Sequence, residues 1–344
     1  MSALPAELIS PTALVYMYRG QILDKEKELS LLTASTPEEV QNALRGTWLE
    51  GVAVEEASSE ELERLACQKY YEILMKLRGY VPSYNLKLMI DNLVDWLRAR
   101  DVMLIVRAAV SGKDLKEVEG FLLFKDDPVV STTLLVIKER GLEGLAQALK
   151  GFKMASYIEQ AVEMYRSYKD LSAFVLAMDV MLLKSMYNVI TRIGKSMNVG
   201  TSKIEISKLL CPEIDALAVT LVGRAILKGL KLPAEPPACD QDLVRALVQA
   251  KPDEVVPLLR RTPYGEGVPE DPYEALAKVR VNAMRVQRKR ALAAFSGYPF
   301  RVAVLLALLI LLRLDARDVA TIMTGKKLGL DPSKIAENLS YELF

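Results

Sequence analysis

Three sets of residues in this chain have types and spacings that would do chemistry. The first is Gly325-Lys326-Lys327. A glycine-lysine pair grips the phosphates of a nucleotide when it closes a GxxxxGK loop followed by serine or threonine. The loop's backbone N–H groups cradle the anion and the hydroxyl holds magnesium. Here Ala320 stands at the first glycine position and Lys327 at the hydroxyl position. The stretch therefore reads as a small helix-packing residue followed by a solvated lysine, and no nucleotide site is expected. Tyr264-Gly265-Glu266-Gly267 puts an acid where a phosphate would sit, and reads as a loop.

The second set is the acidic run Glu55, Glu56, Glu60, Glu61 and Glu63. A hard cation needs oxygens that converge on it. These carboxylates instead precede a helical pattern whose N-terminal dipole favours them, so they read as a helix start and no metal is expected. The third is the basic set Arg280, Arg285, Arg288, Lys289, Arg290 and Arg301. Nucleic-acid binding calls for stacking aromatics among such residues, and Phe295 and Tyr298 stand only at the margin. The set reads as a solvated or partner-facing helix face, with no nucleic acid as partner.

The chain has no histidine, which removes Ser-His-Asp and Cys-His nucleophiles, HExxH zinc sites and imidazole proton shuttles together. Cys67, Cys211 and Cys239 are odd in number and form no CxxC pair. They point to a reducing compartment and away from a disulfide framework or zinc ribbon. A formal charge of +1 supplies no global attraction to nucleic acid or anionic lipid. With 51% hydrophobic and 26% charged residues the chain reads as globular. Asparagine and glutamine are scarce, as in thermophilic proteins. The N-terminal run is interrupted by Glu7 and Pro11 and does not read as a signal peptide. Residues 302–312 are the most apolar stretch; eleven helical residues rise about 16 Å against a hydrocarbon core of about 30 Å, so this is a buried helix and not a span.

What positions these residues is a repeat. Aligning Arg98, Asp215 and Asp315 superimposes Val102, Val219 and Val319, then Ile105, Val222 and Ile322, then the small residues Ala108, Ala225 and Gly325, and finally Gly112, Gly229 and Gly329. Such spacing makes an apolar helical stripe, a close-approach point and a left-handed glycine stop. A second helix should follow, capped by Asp114 in the first copy and by Asp331 before Pro332 in the third. Arg107, Arg224 and Thr324, five beyond the valines, repeat a polar residue on apolar helices. With Lys113, Lys326 and Lys327 beside the glycine turns, the two arginines are the candidate partner-binding residues.

The repeat extends over the chain. Pro37, Glu39, Val40, Leu44 and Thr47 match Pro252, Glu254, Val255, Leu259 and Thr262 at an offset of 215. Gly79-Tyr80-Val81-Pro82 is matched by Gly297-Tyr298-Pro299, and the middle third carries an insertion near 194–202. Three units follow, 1–126, 127–236 and 237–344. Periodicity is helical throughout and the class is all-α. The first unit is expected to contain helices over 60–78 and 84–98 before its motif helix, the second over 158–168, 171–193 and 206–230, and the third over 272–295 and 300–314 before its motif helix.

These motifs resemble the C subunits of archaeal A-type ATP synthases and their relatives, the d subunits of V-type ATPases. The family pattern is an acidic residue, then asparagine with leucine or isoleucine and lysine, then arginine, a small residue and lysine, then glycine. Residues 98–112 and 315–330 carry it, and Thr262-Pro263-Tyr264-Gly265 is similar to a short early motif. The chain departs from it at Asp101, Ala218 and Asp318 in place of asparagine, at Thr324 in place of arginine, at Ala109 in place of lysine, and at Arg98 in the acidic position. The resemblance implies a funnel of three helical repeats around a pseudo-threefold axis with a central cavity. One end would sit on the proteolipid rotor-ring subunits at the cytoplasmic face of the membrane, and the cavity would receive the central axle subunits. It implies a peripheral, non-catalytic coupling subunit with no cofactor and no nucleotide. A free helical-repeat adapter is the alternative.

As a left-handed cap, Gly329 replaced by valine should cost about 1 kcal/mol or more, against about ±0.5 kcal/mol for an exposed lysine in Lys326→Ala. Paired thermal melts check the difference.

Overall fold

The computed structural model of the 344-residue chain describes residues 9–52, 59–81, 83–196 and 200–343. The first eight residues, Glu55 and Glu56, Pro82 and the heart of the 194–202 insertion lie outside these, as does the side chain of Glu60. Among the described residues there are helices and no strands, so the chain is all-α. The first third contains α1 (Ile9–Arg19), α2 (Lys25–Thr33), α3 (Pro37–Leu44), α4 (Ser59–Tyr80), α5 (Tyr84–Val110) and α6 (Leu115–Glu119). The second contains α7 (Pro128–Arg140), α8 (Leu145–Ala148), α9 (Ala155–Tyr168), α10 (Leu171–Ser196) and α11 (Gly200–Leu227). The third contains α12 (Gln241–Val248), α13 (Val255–Arg260), α14 (Pro272–Ala293), α15 (Val302–Lys327) and α16 (Pro332–Ala336).

Local chemistry explains the starts. Thr36, Asp127 and Asp271 each accept a backbone N–H of the first turn, ahead of a proline at the first helical position. Asp114 and Asp331 cap α6 and α16 in the same way. One expectation is corrected. The helices read over 84–98 and 300–314 do not stop before the motif helices but run into them as α5 and α15, because no glycine or proline interrupts either join.

The repeat is visible at the level of single hydrogen bonds. Gly112, Gly229 and Gly329 have φ of 68°, 63° and 67°. The next residue, Lys113, Leu230 or Leu330, donates its N–H back to the carbonyl of Ala108, Ala225 or Gly325 at 2.9, 2.8 and 2.9 Å. This six-to-one bond marks a Schellman ending. The Thr47 and Thr262 hydroxyls donate to the carbonyls of Leu44 and Leu259, and accept from the N–H of Leu49 and Tyr264.

Six described helices exceed twenty residues, two in each third. They pack as hairpins, α4 with α5, α10 with α11 and α14 with α15. Between thirds, α5 packs on α10, α11 on α14, and α15 back on α4. The last contact closes the circuit, so each third touches both others. All residues from Val302 to Leu312 are buried, as a helix inside such a circuit requires. In α10 the segment Leu171–Arg192 is long and apolar enough to cross a membrane. More than half of its most apolar window is buried, and it packs against α5, α9 and α11, so it reads as a core helix.

Cys211 of α11 is joined by a disulfide to Cys239 in the link to the third unit, their Cα atoms 5.7 Å apart. This overturns the reading of the cysteines as unpaired. The partners lie 28 residues apart and are brought together by the fold, which leaves no local spacing to read. Cys67 keeps a free thiol, pushed up to about 11 by burial.

The small position of the motif also has a measurable role. A Cβ on Gly325 would lie 2.6 Å from Ile335 Cγ1 of α16, whereas one on Gly329 meets open space. Gly325→Ala is therefore expected to cost about 1–3 kcal/mol through overpacking, and Gly329→Ala about 1 kcal/mol through backbone strain. In urea denaturation, Ile335→Ala should be less than additive with Gly325→Ala and additive with Gly329→Ala.

Candidate partner-binding site

Each motif helix carries a buried aspartate that holds the chain leaving its own unit. Asp101 Oδ2 accepts the N–H groups of Leu123 and Phe124 at 2.8 and 2.9 Å. Asp318 accepts the N–H of Ser340 at 3.2 Å and also its hydroxyl. Asp215 Oδ1 accepts the N–H groups of Cys239 and Asp240 at 2.7 and 3.1 Å. Asp101 and Asp318 hold residues the same 22 positions downstream. In the middle unit Ala218 occupies that column, and Asp215, one turn earlier, does the work. Burial raises the pKa of Asp101 and Asp215, and the accepted N–H groups oppose the rise. These three acids were missed as a set; the signal was an aspartate directly before the shared valine in two copies.

A denser cluster joins the ends of the chain. Arg288 of α14 is 1% exposed, and its Nη1 lies 2.9 Å from Asp315 Oδ1. Its Nη2 lies 3.2 Å from Asp318 Oδ2 and 3.7 Å from Glu28 Oε1 of α2. Its Nε donates to Ser340 Oγ at 2.5 Å, and the guanidinium carbon sits 4.2 Å from the centre of the Tyr341 ring. Asp315 Oδ2 accepts the backbone N–H of Leu23 at 2.9 Å and the Trp48 indole N–H at 3.0 Å. Burial, reinforced by the charge of Asp318, pushes the Glu28 carboxyl up to about 10, so it is protonated at neutral pH. The remaining charges balance, with Arg288 and Arg317 against Asp315 and Asp318.

The basic set is thereby corrected in part: Arg280, Lys289 and Arg290 are exposed, as a solvated or partner-facing face would have them, but Arg285, Arg288 and Arg301 are not. Arg288 is fully buried, Arg285 donates to the carbonyls of Leu339, Ala336 and Glu337, and Arg290 donates to that of Lys208. Arg301 pairs with Glu205. Helical periodicity places these cations on a helix but does not see a carboxylate or carbonyl many residues away.

Inside the circuit a cleft of about 590 Å³ opens between α4, α5 and α15. Tyr70, Trp96, Met186, Glu213, Arg313 and Thr324 are on its walls. Two smaller voids adjoin it, and Glu213 and Arg313 line all three. Arg313 grips Glu213 with both terminal nitrogens, and Gln287 donates to the same carboxylate at 3.2 Å, tying α11, α14 and α15 together at the centre.

The five candidate partner-binding residues separate. Arg107 and Arg224 meet in a second cleft of about 290 Å³ with Lys228, Leu171 and Tyr273. That cleft collects the ends of two motif helices and the starts of α10 and α14, which puts these glycine turns at one end of the circuit. Lys113 and Lys327 are exposed beside their turns. Lys326 is not the solvated lysine expected. It is half-buried, its Nζ donates to the Ala34 carbonyl, and burial lowers its pKa. Its truncation should therefore cost more than the small loss expected of an exposed side chain.

Compared with known proteins, residues 11–338 match the family model described as ATP synthase (C/AC39) subunit. No curated protein matches the chain.

Removing Arg288 strands two buried carboxylates, and Arg288→Met is expected to cost about 3–5 kcal/mol in chemical denaturation. Glu28→Gln should be nearly neutral at pH 5, because the native carboxyl already holds its proton. Its folded pKa lies above the unfolded one, so native Glu28 contributes most below the unfolded value and loses that contribution as pH rises towards about 10. Denaturation from pH 5 to 9 should show Glu28→Gln gaining steadily on the native protein.

Proposed function

Because the chain belongs to the ATP synthase (C/AC39) subunit family, we propose that it is the non-catalytic central-stalk coupling subunit of a rotary ATP synthase, linking the proteolipid rotor ring to the central axle. The observation that carries this reading is the closed circuit of three helix hairpins around a cleft walled by both charged and apolar side chains. A part that passes rotation between two partners must not slip or splay. Closing the circuit through α4 and α15 removes the free ends along which an open stack would bend. That contact also counts against the adapter alternative, since solenoid repeats touch only their sequence neighbours.

In this reading the units 1–126, 127–236 and 237–344 stand around a pseudo-threefold axis as a funnel. The end with the glycine turns and the basic cleft receives the axle. The opposite end presents exposed Tyr80, Tyr84, Ile204 and Tyr298 to the rotor ring. The subunit is peripheral, on the cytoplasmic face of the membrane, and makes or breaks no bond itself. A disulfide there fits a hyperthermophilic cell, where intracellular proteins hold such bonds.

Purification from native membranes tests the assignment. The chain is expected to travel with the catalytic ATPase subunits and the proteolipid ring. Membranes stripped of it should hydrolyse ATP without building an ion gradient, and adding it back should restore pumping. A chain that purifies apart from both, with pumping unaffected by its loss, would sink the reading.

A further inference from the structure

Among the motif helices only α11 contains a proline, Pro212. A proline inside a helix offers no N–H to the carbonyl four residues back and crowds it with its ring, so the helix bends and weakens there. The third unit repairs the break from the side. Arg290 Nη1 of α14 donates at 2.9 Å to the Lys208 carbonyl, which Pro212 cannot serve, and Gln287 Nε2 donates at 3.1 Å to the Leu209 carbonyl. The link between the second and third units grips the same turn. Cys239 is bonded through sulfur to Cys211, just before the proline, while its N–H and that of Asp240 are held by Asp215, just after it. Residues 239 and 240 thus straddle the weak point of α11 as a clasp, covalent on one side and hydrogen-bonded on the other. Asp101 and Asp318 catch the chain beyond their own helices with no proline to bridge.

Solvent reaches this bridge, since Cys239 is exposed and Cys211 half-buried, and exposed bridges are the labile ones, open to attack by a thiolate. We propose that the Cys211–Cys239 disulfide is a redox-sensitive lock on a hinge at Pro212, closed in the bridged form and released by a dithiol reductant. The reductant's first thiolate attacks the exposed Cys239 sulfur, and Cys211 leaves as a thiolate that takes up a proton. The reductant's second thiol then attacks the mixed disulfide, so the bridge gains two electrons and two protons and the reductant departs as a disulfide. Release leaves Cys239 and Asp240 held to α11 by Asp215, in a link whose Pro233, Pro236 and Pro237 offer no N–H of their own. Besides its buried Ile206, Leu209 and Leu210, the stretch of α11 before the proline then depends on Arg290, Gln287 and the Glu205–Arg301 pair for its place against the third unit. What the lost clasp frees is a bend at Pro212, with the helix on either side intact.

The test compares the purified full chain before and after dithiothreitol, without denaturant, by thiol labelling and hydrogen exchange. Reduction is expected to expose two further thiols to the label. In the reduced chain the amides of Glu213 and Ile214, just past the proline, and of Cys239 and Asp240 should exchange at least about tenfold faster, with those of residues 217–227 unchanged. The Cys211→Ser, Cys239→Ser double variant should match the reduced chain with or without reductant. Pro212→Ala, which restores the missing donor, should leave Glu213 and Ile214 equally protected in both redox states while Cys239 and Asp240 still respond. A bridge that dithiothreitol reaches only in denaturant is a structural staple and overturns the lock. Exchange at Glu213 and Ile214 that ignores the redox state overturns it too, by confining the release to the link. A redox response at those two amides that Pro212→Ala leaves intact removes the hinge. Thermal melts show whether each variant folds; should Pro212→Ala not fold, the native chain and the double variant decide between lock and staple. These outcomes are read on the isolated chain and do not depend on its coupling role.

Discussion

A buried cluster built on Arg288 and Asp315 is the interaction on which the closed shape depends. It stands where α2 from the beginning of the chain, α15 from near its end and the final Ser340-Tyr341 segment meet. A buried ionic cluster is seldom a large net source of stability, because desolvating the charges consumes most of what their attraction returns. Its value here is selectivity. Opening the circuit would leave Arg288 with Asp315 and Asp318, which share its hairpin, but would strip buried Asp315 of the Leu23 and Trp48 N–H groups and part Glu28 from the guanidinium. Glu28 takes part as a neutral acid, which keeps the cluster electrically balanced. The Leu23 N–H and the Trp48 indole on Asp315 add two geometric constraints to the same closure.

Once the ends are held, the remaining design is repetitive. Each motif helix ends at a left-handed glycine, the chain turns, and an aspartate on the helix catches the backbone beyond the turn. The junctions are therefore fixed by hydrogen bonds in a low-dielectric interior, where they are strong and directional. Apolar packing of α15 against α4 completes the circuit and leaves a walled space at the centre. The proposed coupling role would be served by this combination of stiff junctions and a shaped cavity.

The all-helical class, the glycine stops and the caps at Thr36, Asp114 and Asp331 were legible because each is set by residues within a turn or two. The family was legible from the same motif. What was not legible depends on partners far apart in the chain. Arg288 looked like one more member of a basic helix face, since Glu28 and Asp315 are not its sequence neighbours. Asp101 and Asp318 looked like departures from an asparagine pattern until their acceptor role at a constant distance downstream was visible. The Cys211–Cys239 bridge was hidden by an odd cysteine count. Arg107 and Arg224 were singled out by recurrence alone, and the two aligned helices bring them to the walls of one cleft.

Closure through the buried cluster is most directly tested by native-state hydrogen exchange at the Leu23 amide and the Trp48 indole N–H, both of which donate to Asp315 across the junction. Neither lies within a helix, so local fraying would expose them if the ends of the chain were merely resting together. Both are predicted to exchange only through global unfolding, as slowly as the interior amides of α15. Exchange at the rate of an exposed loop, with α15 still protected, would contradict closure and show that the ring opens while its units stay folded.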